Sequence, residues 1–271
     1  QIKEVLDRFD IDLPLGGFGD LAPRIADTGF PFWVAPGTSS WNSLVGRVDN
    51  AFANRVDAAT AGEEAGAGGY LITDWGDGGH LQPPSISFGP LLFGGAVSWA
   101  REANRGMDMA GELDRRVFAD AAGRLGGALD RLGRIWTATG QACFNGSPLD
   151  AALAPGGTGF VVGKAEAERV AGVVEEIDDA IASVEASSPA CADGDVVRDE
   201  IVVAARLARH GAWRLLAKAG GAAPAPDRLA ADLREAMDGV ERTWRARSRP
   251  GGLDDSLNRL RPTLAGYGSA G

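Results

Sequence analysis

Two short loops hold the residues best suited to chemistry. Trp41 is followed by Asn42, and Trp75 is set between Asp74 and a Gly76-Asp77 turn, with His80 shortly after. An indole offers a flat apolar face, while carboxylates and amides take up hydroxyl groups. A pyranose ring asks for that combination, because its C–H faces are apolar and its equator is polar. The residue types therefore predict a carbohydrate site contacted by Trp41, Asn42, Asp74, Trp75, Asp77 and His80. Asp74 reads equally as a site residue or as an anchor of its turn. His80 reads as a cleft residue or as an ordinary surface histidine.

Other chemistries fail on spacing. The run Gly157 to Ala165 falls short of a phosphate loop, because Thr158 stands where the first glycine is required and Ala165 where Ser or Thr must follow Lys164. Trp75 and Gly76 interrupt the alternating oxygen ligands that a calcium loop needs. Cys143 and Cys191 are far apart and His80 and His210 are the only imidazoles, so a zinc site is not expected. A formal net charge of −10 gives no basic field for nucleic acid or an anionic membrane surface. The 271 residues, 45% apolar and 24% charged, describe a folded globular chain. No apolar run approaches the roughly 20 residues of a membrane span. A cytoplasmic, reducing setting is the expectation. Gln1 opens within an amphipathic stretch, so the natural N-terminus is expected upstream and a signal peptide could lie there.

Elements of alternating type must position the two loops. Phe30 to Ala35 is an apolar run closed by Pro36-Gly37, the pattern of a strand buried on both faces, and the Thr38–Ser43 loop follows it. From Leu44 to about Ala65 the apolar positions recur at three- and four-residue steps, predicting a helix that Gly66 and Gly68-Gly69 end. Tyr70 to Thr73 is a second strand, running into the Asp74–His80 loop, and Pro90 to Ala100 is a second helix. Strand, loop, helix, repeated, means parallel strands covered by helices, with ligands at the carboxyl ends of the strands. Trp33 and Trp99 are assigned to the core.

Beyond about residue 105 almost everything reads as helix. Candidates cover Ala165–Ser187, Val196–Ala219 and Asp227–Arg247, preceded by helical spacing from Leu113 to Trp136, with Gly and Pro clusters between them. Asp193, Asp227 and Asp254 are candidate caps. Trp136, Trp213 and Trp244 fall on core or seam positions, and Arg245, Arg247 and Arg249 form a charged face.

The stretch Trp33-Val34-Ala35-Pro36-Gly37-Thr38-Ser39-Ser40-Trp41-Asn42-Ser43, with Gly69-Tyr70-Leu71-Ile72-Thr73-Asp74-Trp75-Gly76-Asp77-Gly78-Gly79-His80, resembles the last two β/α units of a bacterial branch of glycoside hydrolase family 20, the β-N-acetylhexosaminidase class. Arg249 to Ser256 is similar to that branch's C-terminal tail. The resemblance implies an α/β fold: the C-terminal β/α units of a (β/α)₈ barrel over residues 1–105, then an all-α helical domain over 106–271. It implies hydrolysis of terminal β-linked N-acetylhexosamine by substrate-assisted, retaining catalysis, with no metal or organic cofactor. Either Trp41-x-Ser43 or Trp41-Asn42 stands where the family carries Tyr-x-Asp, and Trp75-Gly76-Asp77 where it carries Trp-x-Glu. The family's catalytic Asp-Glu pair has no match, because Glu63-Glu64, Glu175-Glu176 and Asp199-Glu200 all fall in predicted helices. The general acid is therefore expected upstream of Gln1, the isolated chain is expected to be inactive, and an incomplete barrel would leave apolar strand edges exposed. A non-catalytic carbohydrate-binding protein on the same scaffold is the alternative.

Overall fold

The computed structural model describes residues 17–76, 79–154 and 161–268. Helix α1 (Phe18–Ala26) leads into strand β1 (Trp33–Val34), then α2 (Val48–Glu64), β2 (Gly69–Tyr70) and α3 (Phe88–Asn104). The two strands are parallel, with Trp33 opposite Gly69 and Val34 opposite Tyr70. Backbone bonds carry the pairing further, from Gly68 N to Phe32 O at one end to Thr38 N to Thr73 O at the other, each 2.9 Å. The strand, helix, strand, helix order of the sequence is thus present, and both connecting loops leave the same end of the pair.

Local chemistry sets the limits of these elements. Helix α2 stops where Gly66 takes a left-handed φ of +72°. Ala67 N then bonds to Gly62 O at 2.8 Å and Gly66 N to Glu63 O at 3.4 Å, which satisfies carbonyls that the helix end would leave open. Val34 faces α2 so closely that a Cβ on Gly62 would lie 3.0 Å from it. Phe52 of α2 stacks on Phe93 of α3, with ring centroids 4.2 Å apart.

Two core assignments are corrected here. Trp33 is 62% exposed and Trp99 is 91% exposed. Alternation along β1 sends Val34 to the helix-covered face and Trp33 to the other, so the strand is buried on one face only. On α3, Phe93 and Val97 face inward, and Trp99 lies about 200° around the helix from Val97. Apolar character was read correctly as strand and helix, but it did not specify which face is covered.

After α3, one-turn and irregular helical segments lead to α4 (Leu125–Arg134). The short strands β3 (Ala142–Cys143) and β4 (Val161–Val162) pair antiparallel, an element that the helical reading of this half missed. Helices α5 (Ala167–Glu185), α6 (Gly194–Lys218) and α7 (Pro226–Arg247) follow within two residues of the predicted limits, then α8 (Leu253–Asn258) and α9 (Arg261–Gly268). Helix α6 is central: its Val197, Ile201, Ala204 and Ala208 meet Val173, Ile177 and Val184 of α5 and Leu233 and Val240 of α7 in one buried cluster. That cluster is continuous with Leu44, Phe93 and Val97, on the other side of residue 105. Trp136, Trp213 and Trp244 are half-buried at seams.

Polar anchoring differs from the expected caps. Asp193 precedes α6 without capping it and pairs instead with Arg247 at 2.8 Å, while Asp227 and Asp254 sit in the first turns of α7 and α8. Asp120 is a capping carboxylate instead, accepting from Arg124 N and Leu125 N at the start of α4 and from Ser188 N. Buried His210 joins α6 to α7 and α9, with Nδ1 2.8 Å from Asp232 Oδ2 and Nε2 2.8 Å from the Tyr267 hydroxyl. Of the three arginines read as a face, Arg247 bridges helices, whereas Arg245 pairs with Glu241 within α7. Among the described residues no helix is long and apolar enough to cross a membrane. The fold is thus α-rich, with a parallel β/α pair and a small hairpin, and the described strands form no closed barrel.

Candidate functional site

Trp41, Asn42, Trp75, Gly76, Gly79, His80 and Asn145 line one cleft of about 250 Å³. Four of the six sequence-predicted residues, Trp41, Asn42, Trp75 and His80, therefore converge, although they lie on separate loops. Asp74 is close by but occupied: Thr38 Oγ1 donates to its Oδ1 at 2.5 Å and Ser87 Oγ to its Oδ2 at 2.7 Å. With both oxygens accepting hydroxyls, it ties the two strand-end loops together as an anchor. Asp77 lies outside the described residues.

Each aromatic ring is fixed by identifiable partners. The Trp41 indole N–H donates to Asn145 Oδ1 at 2.7 Å, and the Arg47 guanidinium lies 5.6 Å from the ring centroid. Gly37 completes the seat, since a Cβ there would overlap the far edge of the ring. Trp75 donates from Nε1 to Thr73 Oγ1 at 3.1 Å, and its carbonyl accepts from Gln82 Nε2 at 3.2 Å. His80 Nδ1 is 3.1 Å from the Gln82 carbonyl, which can only accept, so Nδ1 carries the proton and Nε2 is the acceptor of the neutral ring. The backbone N–H of His80 donates to Ser256 Oγ at 3.1 Å, and Arg259 donates to Gly79 O at 3.1 Å. The C-terminal helices thus hold one rim of the cleft.

The backbone of the other rim is strained. Ser39, Asn42 and Leu44 have φ of 58°, 51° and 66°, and Asn145 has 50°. Left-handed backbone is mild for Asn but costly for Leu. Complete burial of Leu44 offsets that cost, and Ser39 is held by Asn50 Nδ2 on its hydroxyl at 2.7 Å and by Arg47 Nε on its carbonyl at 3.2 Å. Strain of this kind clusters where a surface is shaped for a ligand.

Beneath the loops, two arginines are buried. Arg55 donates from Nη1 to Gly37 O at 2.5 Å and to Ala51 O at 3.2 Å. Burial lowers the pKa of both Arg47 and Arg55 to about 10, still high enough to leave them charged at neutral pH. Cys143 is pushed up to about 11 by burial and, less, by Asp150, so it is a protonated thiol and not a nucleophile.

None of the described lining residues carries a fixed charge. The cleft can stack two indoles on apolar ring faces and offer amide and imidazole groups to hydroxyls or carbonyls. The acidic pairs Glu63-Glu64, Glu175-Glu176 and Asp199-Glu200 lie on helices α2, α5 and α6; Glu200 shares a neighbouring pocket with His80, where it is paired with Arg247. Asn145 was missed, because its part depends on a hydrogen bond to a residue 104 positions earlier. No protein-family model and no curated protein sequence matches this chain.

Proposed function

We propose that this chain binds a neutral sugar in the Trp41–Trp75 cleft and contributes that site to a glycoside hydrolase of the β-N-acetylhexosaminidase type. Residues 1–105 would be C-terminal β/α units of its (β/α)₈ barrel and residues 106–271 a helical domain packed on them. The observation that carries the reading is the convergence of Trp41, Asn42, Trp75 and His80 at the carboxyl ends of a parallel strand pair. These residues supply recognition, and hydrolysis of the terminal β-linked N-acetylhexosamine needs an acid that they do not include.

A second reading, a non-catalytic sugar-binding protein, is favoured by the placement of the chain's acidic pairs Glu63-Glu64, Glu175-Glu176 and Asp199-Glu200 on helices and not at the strand ends. Calorimetric titration with N-acetylglucosamine, N-acetylgalactosamine and glucose tests the shared claim. Trp75→Ala, which removes a largely exposed ring, is expected to weaken sugar binding by about 2 kcal/mol, roughly 30-fold, as an aromatic anchor does. Unchanged affinity in that variant would remove the cleft from consideration. Release of p-nitrophenol from p-nitrophenyl N-acetyl-β-D-glucosaminide separates the two readings.

A further inference from the structure

Asn145 reaches the cleft from the β3–β4 side of the molecule, on a turn that is tied to the Trp41 loop. Ser147 N donates to Asn42 O at 2.8 Å, and a Cβ on Gly146 would lie 3.0 Å from that same oxygen. Asn145 holds a left-handed φ of 50°, which Asn tolerates better than most residues. The orientation of its amide is determined by chemistry. An indole N–H can only donate, so the atom 2.7 Å from Trp41 Nε1 must be the carbonyl oxygen Oδ1. The two N–H groups of Nδ2 then point elsewhere, and among the described residues none accepts from them.

We propose that Asn145 is a ligand-contacting residue, its Nδ2 donating to an acceptor oxygen of the bound sugar while its Oδ1 holds Trp41 in place. This rests on the carbohydrate reading above and adds to it a specificity-determining donor from the second half of the chain. One residue thereby couples the pose of the stacking ring to a polar contact with the ligand. A sugar seated on Trp41 meets a donor at a fixed offset from the ring edge. Ligands that place an oxygen there are preferred over those that place a C–H.

Two substitutions compatible with a left-handed backbone separate the roles. Asn145→Asp keeps an oxygen for the Trp41 indole and removes the donor; Asn145→Gly removes both. The 271-residue chain and both variants are titrated with N-acetylglucosamine, following the Trp41 indole N–H resonance by NMR. Both variants are expected to bind roughly three- to tenfold more weakly, the effect of one lost neutral hydrogen bond, with the Trp41 resonance of the Asp variant still hydrogen-bonded before sugar is added. An Asp variant that binds as tightly as the wild type or more tightly, beside a weakened Gly variant, would show that Asn145 only orients Trp41 and would overturn the proposal. Equal binding by all three would remove Asn145 from the site and leave the carbohydrate reading intact. If the wild-type chain binds none of the three sugars named above, the carbohydrate reading fails and this inference fails with it.

Discussion

The β/α pair and the helices around α6 use apolar residues in opposite ways. Among the described residues, eight of the nine large hydrophobic residues left exposed, from Leu21 and Phe30 to Trp33 and Trp99, lie before residue 105; Phe144 is the other. Around α6 the apolar side chains of α5 and α7 close on one another. The two regions share one buried core, but the β/α region also leaves apolar side chains exposed, of which Trp75 lines the cleft. Surface of that kind marks a place where something else packs, or a liability to association. The helical region also supplies Ser256, Arg259 and Asn145 to the rim of the cleft, so contacts from one region shape the loops of the other.

The largest effects are expected where the helical region buries charge. Glu200 is 1% exposed and accepts from Arg247 Nε at 2.5 Å, while Arg247 also reaches Asp193. Replacing Arg247 with Met leaves the Glu200 carboxylate buried without its partner, a loss of about 3–5 kcal/mol by analogy with other broken buried pairs. Urea denaturation measures it, and a loss below about 1 kcal/mol, the usual limit for exposed pairs, would show that water reaches Glu200. Ile177→Ala, at the centre of the α5–α6 contact, is expected to cost about 2–5 kcal/mol.

A smaller effect depends on pH. Burial works against charge on Asp120, but the N–H groups of Arg124, Ser188, Leu125 and Ala122 outweigh it and hold the carboxyl below its usual range. A carboxyl with a depressed pKa in the folded state stabilises the fold above its unfolded value of about 4, and that contribution is lost as pH falls through the folded value. Asp120→Asn should therefore destabilise the protein by roughly 1.5–3 kcal/mol at pH 7, with the difference shrinking towards pH 2. A difference that stays constant between pH 7 and pH 2 would mean that shape, not charge, makes this cap.

How far the molecule was legible in its sequence follows from the range of each interaction. Helices α5 to α7 were readable because their periodicity is local, and Trp41 and Trp75 could be brought together because parallel strands send their following loops to one end. Trp33 and Trp99 were misplaced because an apolar residue type does not say which face of an element is covered. Asp74 could not be divided between anchor and ligand until the Thr38 and Ser87 hydroxyls were placed on it. The two-residue strands of the hairpin are too short to show alternation, and Asn145 sits beside one of them, joined to Trp41 only through tertiary structure.

The smallest effect on stability tests the comparison from its other side. If the exposed apolar residues of the β/α region take no part in folding this chain, Trp99→Ser and Trp33→Ser should each change unfolding free energy by no more than about 0.5 kcal/mol, the range of ordinary surface positions. Trp33 is the more demanding case, because its ring lies over Gly69 of β2, where a Cβ would collide with it. The same substitutions should reduce association, read as a drop in light scattering at high protein concentration, since they remove apolar surface from the sheet face and from α3. A loss of several kcal/mol on Trp99→Ser would place that residue within the folded core and dissolve the contrast between the two regions. Unchanged stability with unchanged association would leave the contrast in packing standing but would show that this surface does not drive self-contact.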